Sequence, residues 1–263
     1  MRASGPTPVN SSHKMIGIYG FYPMSLLIVF SRLPFPVRSD MMEGRKRGKE
    51  GVFMKLLLLA FEPAGSLRFD PSGQVAKELC KRLVGNIEGT AALIPAVFSR
   101  CWEAAGQAIM EARPQAVLAL AQRGSVQGVT FERVARNFID AEIPDREGVQ
   151  PRNAQIAEGG AEIYETALPL EQMVEEVCQK GIPAGISHDA GAFVCNYLYY
   201  HLLRAAEKGD FRTVFIHLPY LPGQDVRRGT AGMAFDDMVR GLEAALRALR
   251  ASGGNPATAE KAP

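Results

Sequence analysis

The run KLLLLAF at residues 55–61 constrains this chain most strongly. An unbroken aliphatic segment of strand length, with neither polar alternation nor helical spacing, reads as a strand covered on both faces, and such strands sit in the middle of parallel sheets. AVLAL at 116–120 reads the same way, after Arg113-Pro114 stops a helix over 99–112. Between the two runs lie a turn-rich segment at 62–73 and a helix on which Val75, Leu79 and Leu83 recur until Gly85, so the order tends to β-α-β-α-β. Residues 129–139 read as a strand with one wet face, followed by a loop through IPDREGVQP. Leu170, Met173, Val174 and Val177 mark a helix ending at Gly181; short strands are expected at 182–187 and 213–217, and an amphipathic helix at 235–249. This alternation predicts an α/β fold: a single-domain three-layer α/β/α sandwich with a largely parallel, partly mixed sheet.

Residues 1–53 differ in character from the rest of the chain. They contain several prolines, an apolar stretch at 15–30 broken by Pro23, and the basic run Arg45, Lys46, Arg47 and Lys49. The stretch is shorter than the roughly 20 apolar residues a membrane span needs, and it lacks a clear small-residue cleavage site. The expectation is that 1–53 is an extension outside the domain and that translation starts at Met54, because Lys49, Glu50 and Gly51 can be encoded by a bacterial ribosome-binding sequence. Finding these residues on most molecules by intact mass from the native host would overturn that. The domain is then 54–250, and the Gly-, Pro- and Ala-rich stretch 251–263 is a disordered tail. A formal net charge of +2 gives no general reason to expect nucleic acid or a membrane surface as partner. Four cysteines without CxxC spacing imply neither zinc site nor disulfide framework, so a reducing cytoplasmic setting is expected. Cys80 and Cys178 fall in amphipathic helical patterns, where a free thiol often acts as a small buried hydrophobe.

Cys195 is different. Leu198, Leu202 and Ala205 continue a helix from about Cys195 until Gly209, which places the thiol in its first turn. There the helix dipole and unpaired N–H groups can lower a thiol pKa. The small residues Ala190, Gly191 and Ala192 leave room for a carbonyl to approach an oxyanion hole. A thiol nucleophile needs an imidazole, and the chain has four histidines. His13 lies in the extension, and His201 lies about 120° around the same helix from Cys195. His188 remains open. His217 closes the strand VFI before a Pro-rich loop, at the carboxyl end where α/β sheets place their sites, and is the preferred base.

Six blocks in order resemble the pyroglutamyl-peptidase I family of cysteine peptidases: AFEPAG (60–65), FDPS (69–72), FERVARN (131–137), IPDREGVQP (143–151), AGAFVCN (190–196) and FIHLPYLPGQ (215–224). The resemblance implies removal of an amino-terminal 5-oxoproline from peptides through a Cys-His-Glu triad and an acyl-enzyme. Its catalytic residues would be Glu132, Cys195 and His217. It also implies a pocket for a flat neutral lactam: Phe61 as an aromatic wall, Gln122 as a polar contact and the Val194 backbone reading the ring amide. No metal or cofactor is expected, and a homo-oligomer, commonly a tetramer, is. Partners would be peptides with a blocked amino terminus.

The chain departs from the family near the substrate. Ala64 stands where a second aromatic wall is usual, and Asp70 replaces the asparagine of an NP pair. Arg123-Gly124-Ser125-Val126 replaces a Gly-rich, Arg-containing turn, Glu142 replaces an arginine, and Ser187-His188-Asp189 replaces S-N-T. Losing an aromatic wall weakens stacking by on the order of 1 to 3 kcal/mol if nothing refills the space. Two alternatives stay open: the same hydrolysis on a different small blocked or cyclic amino-terminal group, and a non-catalytic binding homologue.

Overall fold

The computed structural model describes residues 54–63, 70–224 and 232–251, with the Ala251 side chain left out. The 1–53 extension, Ala64 and residues 252–263 lie outside the described residues. In chain order the elements are β1 (Met54–Phe61), α1 (Ser72–Arg82), β2 (Ile87–Ile94), α2 (Cys101–Ala112), β3 (Ala116–Gln122), β4 (Val129–Glu132), β5 (Val134–Arg136), β6 (Ile163–Glu165), α3 (Leu170–Cys178), β7 (Ala184–Ser187), α4 (Val194–Ala206), β8 (Arg212–Leu218) and α5 (Phe235–Ala251).

β1 lies inside a six-stranded sheet of order β2-β1-β3-β8-β4-β7. It pairs in parallel with β2 and β3, β3 with β8, and β4 with β7; only the β4–β8 pair is antiparallel. The aliphatic run is continuous because both faces are covered. Leu56, Leu58 and Ala60 pack with α1, α3 and α5, while Leu57, Leu59 and Phe61 pack with α2 and α4. This is the three-layer sandwich that the alternation of elements implied. Among the described residues no helix is long and apolar enough to cross a membrane.

The β-α-β-α-β order holds, while two local expectations are corrected. The middle strand of the β-α-β-α-β order is β2, whose IEGTAALI sequence carries small residues and stays half exposed because it forms the sheet edge. Residues 129–139 do not form one half-wet strand: β4 ends at Glu132 with Val129, Phe131 and Glu132 buried, and β5 leaves to pair with β6 in a separate two-stranded sheet. β4 runs between β8 and β7, so both of its edges are paired, and of its four residues only Thr130 keeps partial exposure. Cys178 is exposed and Cys80 half-buried, so neither is the buried hydrophobe its helical spacing suggested.

The loop through IPDREGVQP is tied down by a carboxylate. Asp145 is 8% exposed, and its oxygens accept from the backbone N–H groups of Phe98, Glu147 and Val149, each at 2.9 Å. Asp145→Ala leaves three donors without that partner and is expected to cost about 3 kcal/mol of stability in urea denaturation. A loss under about 0.5 kcal/mol would show that water replaces the carboxylate at this loop.

Candidate active site

Strand register brings the candidate residues to one place. Ala60 pairs with Leu120, and Leu120 with Ile216, so Phe61, Ala121 and His217 lie in one row near the carboxyl ends of β1, β3 and β8. Across the antiparallel pair, Thr130 faces His217 and Glu132 faces Phe215. Opposite residues of such a pair share a sheet face, and residues two apart do as well. Phe215 packs with α2 and α4, so Glu132, His217 and Phe61 all point to that side. Cys195, the second residue of α4, packs against the same cluster.

Glu132 is fully buried and His217 is 2% exposed; their Oε1 and Nδ1 atoms lie 2.7 Å apart. An Nδ1–H donating to the carboxylate leaves Nε2 to carry the lone pair. The Tyr199 hydroxyl, one turn along α4 from Cys195, donates to the Glu132 carbonyl at 2.7 Å and fixes the strand at that residue. Arg123 Nη1 lies 3.8 Å from Glu132 Oε1 and donates to the Asp189 carbonyl at 2.7 Å. Glu132 Oε2 has no hydrogen-bond partner among the described residues. The other histidines are elsewhere: His188 is exposed, and His201 stacks on Trp102 with ring centroids 5.3 Å apart. Burial lowers the His201 pKa to about 4, so that imidazole is neutral.

The segment before α4 is shaped by its side chains and one glycine. Gly191 has φ +87°, a conformation that suits glycine, and its N–H donates to Asp189 Oδ1 at 3.0 Å. Asn196, beside the nucleophile candidate and 1% exposed, accepts from Arg136 N–H and donates to the carbonyls of Arg136 and Phe138. It ties α4 to the strand and loop that come after Glu132. Asn196→Ala leaves three backbone groups unpaired and is expected to lower unfolding stability by about 3 kcal/mol. An unchanged urea midpoint would show that the clamp contributes nothing.

Cys195 is half-buried. Its thiol pKa is pushed up to about 12, first by burial and then by the negative charges of Asp70 and Glu132, with Arg123 pulling the other way. This corrects the expectation that its place in the first helical turn makes it acidic. Desolvation of the thiolate outweighs the helix amino terminus, so the resting group is a neutral thiol that needs a base.

Phe61 is 6% exposed and tilts against Phe215; Val194 is 3% exposed at the first position of α4. Gln122, at the end of β3, forms a reciprocal amide pair with Gln224: each Nε2 donates to the other's Oε1, at 2.7 and 2.8 Å. Asp70 Oδ1 accepts from Ser72 N–H at 2.8 Å, ordering the entry to α1. Glu142 is exposed, and its carbonyl accepts from the Gln150 side chain at 2.9 Å.

The family described as pyroglutamyl peptidase matches residues 54–251. The chain belongs to that family. It is similar to a pyrrolidone-carboxylate peptidase of Levilactobacillus brevis, 41% identical over 202 residues that cover 74% of this chain and 97% of the relative. Another, from Clostridium perfringens, is 40% identical and 93% covered. Among solved structures, pyroglutamyl peptidase I from Bacillus amyloliquefaciens superposes with a TM-score of 0.73 at 33% identity, covering 78% of this chain and 98% of that one. A mutant pyrrolidone carboxyl peptidase from Pyrococcus furiosus gives 0.71 at 28% identity, covering 76% and 99%.

Three side chains of this family member that meet the candidate residues escape a reading of the sequence. Tyr199 looks like one more aromatic on an amphipathic helix. Arg123 registers only as a departure from the family turn. Gln224 closes a recognised block, yet no local spacing pairs it with Gln122, 102 residues away.

Proposed function

We propose that this member of the pyroglutamyl peptidase family is a cysteine exopeptidase that removes an amino-terminal 5-oxoprolyl group from peptides, with Cys195, His217 and Glu132 as its triad. The observation that carries the reading is the buried His217–Glu132 pair on the sheet face against which Cys195 packs. His217 Nε2 takes the Cys195 proton as the sulfur attacks the carbonyl carbon of the 5-oxoproline. The oxyanion is held by backbone N–H groups at the start of α4. The imidazolium, stabilised by Glu132, gives its proton to the leaving amine as the C–N bond breaks. Water then attacks the thioester with His217 again as base, releasing 5-oxoproline and restoring the thiol. A neutral resting thiol fits general-base activation during attack.

In the pocket, Phe61 supplies an aromatic wall and the Val194 backbone reads the ring amide. Gln122 offers a polar contact from its pair with Gln224, and Asp70 borders the site. An apolar pocket with sparse polar groups rejects a charged amino terminus, because desolvating that charge unpaired costs several kcal/mol. The protein works in the cytoplasm as a homo-oligomer, a setting in keeping with four unpaired cysteines. Light scattering on a sizing column tests the assembly; a purely monomeric species would refute it.

A fluorogenic 5-oxoprolyl amide should be hydrolysed by the purified protein, while the same amide carrying free proline is untouched. Failure to cleave by well-folded protein would remove the reading. Ala64 favours a second reading, in which the acyl group is another small blocked or cyclic one that fits a wider pocket. Ala64→Phe separates them: it should raise kcat/KM for the 5-oxoprolyl amide by about 10-fold if the lactam is the natural group. A fall in that ratio, with better turnover of bulkier blocked groups by the parent, would support the second.

A further inference from the structure

We propose that Arg123 is a positioning residue of this site, a fixed cation that pairs with the buried Glu132 and anchors the loop leading to Cys195. The inference rests on the proposed triad and adds a fourth residue to it.

The backbone places Arg123 first. Its N–H donates to the Leu218 carbonyl at 2.9 Å, immediately after His217, so the residue is pinned beside the imidazole at the end of β3. One guanidinium nitrogen, Nη1, then serves two groups. It donates to the Asp189 carbonyl at 2.7 Å, in the loop that Gly191 and the Asp189 side chain bend towards α4. It also lies 3.8 Å from Glu132 Oε1, the oxygen that binds His217 Nδ1.

Glu132 needs such a cation. A fully buried carboxylate, with one oxygen unpartnered among the described residues, is costly to hold away from water unless an opposite charge lies near. The cation steadies the carboxylate that faces the imidazolium formed when His217 takes the thiol proton. Arginine keeps its charge throughout the working pH range, and its fork lets one side chain reach a carbonyl and a carboxylate together. The Arg123 side chain is one-third exposed, so its charge is not wholly withdrawn from water.

The same cation reaches the thiol. The charged groups acting on Cys195 are Asp70 ahead of α1, Arg123 after β3 and Glu132 on β4. Of these, Arg123 is the one that favours the thiolate.

The test is iodoacetamide alkylation of Cys195 across pH, read by peptide mapping so that Cys178 is scored apart, together with kcat and KM on the 5-oxoprolyl amide. In R123Q, alkylation should slow by about 10-fold at each pH below the thiol pKa. Its kcat should fall by about 10- to 100-fold with KM changed far less. R123K, which keeps the charge, should recover most of both losses. Alkylation and kcat in folded R123Q within about twofold of the parent would overturn the proposal, as would an R123K as impaired as R123Q. If the parent fails to cleave the amide, the functional reading falls while the alkylation comparison still decides the role of Arg123.

Discussion

Cys195→Ala is expected to lower kcat on the 5-oxoprolyl amide by ~10⁵-fold or more while leaving the urea midpoint within about 1 kcal/mol of the parent. The effect is large because no other thiol is placed to substitute: Cys101 is buried within α2, Cys80 is on α1 against the opposite core, and Cys178 is exposed at the end of α3. Stability changes little because Cys195 is only half-buried and, among the described residues, its side chain makes no hydrogen bond to another residue. The raised thiol pKa adds a second readout. Alkylation of Cys195 in the free protein should be slow at neutral pH and rise about tenfold per pH unit towards a pKa near 12. A plateau already at pH 7 would mean that a thiolate–imidazolium pair exists before substrate binds.

Glu132→Gln should lower kcat/KM by ~10³- to 10⁴-fold with the fold intact. The amide is nearly isosteric, so packing under Tyr199 and beside Phe215 persists, and a buried charge is removed. What is lost is the negative charge that favours the imidazolium, together with the acceptor-only face that holds the Nδ1–H tautomer. Activity and stability should therefore separate, with a strong loss in the first and little change or a gain in the second. A variant within tenfold of the parent in kcat/KM would show that His217 is oriented without the carboxylate. A loss of activity that tracks a loss of stability would make Glu132 a structural residue.

The sequence displayed the sheet more clearly than the site. β1, β3 and β8 are interior strands covered on both faces, and burial of that kind leaves a run of aliphatic residues that nothing else explains. β2 has an open edge and no such requirement, so IEGTAALI reads as little. Glu132 shows the same limit more sharply. On local pattern it is a strand carboxylate with a wet face, and only the pairing of β4 between β8 and β7, distant in sequence, buries it against His217. Cys195 was legible as a helix-start thiol, but its acidity was not: a dipole can be inferred from spacing, whereas burial and the nearby charges of Asp70 and Glu132 depend on packing. The reciprocal Gln122–Gln224 amides and the bridging Arg123 are likewise products of tertiary proximity. Family resemblance located the triad positions without supplying these contacts.

The central claim is that Cys195 carries the 5-oxoprolyl group during turnover, and the most direct measurement is to trap that intermediate. The protein is mixed with excess 5-oxoprolyl amide, quenched in acid within the first turnovers, digested and mapped by mass. A 5-oxoprolyl thioester is expected on the peptide containing Cys195, absent from Cys195→Ala. A folded Cys195→Ala protein that still released 5-oxoproline at the parent's rate, or an acyl group found on any other residue, would contradict it.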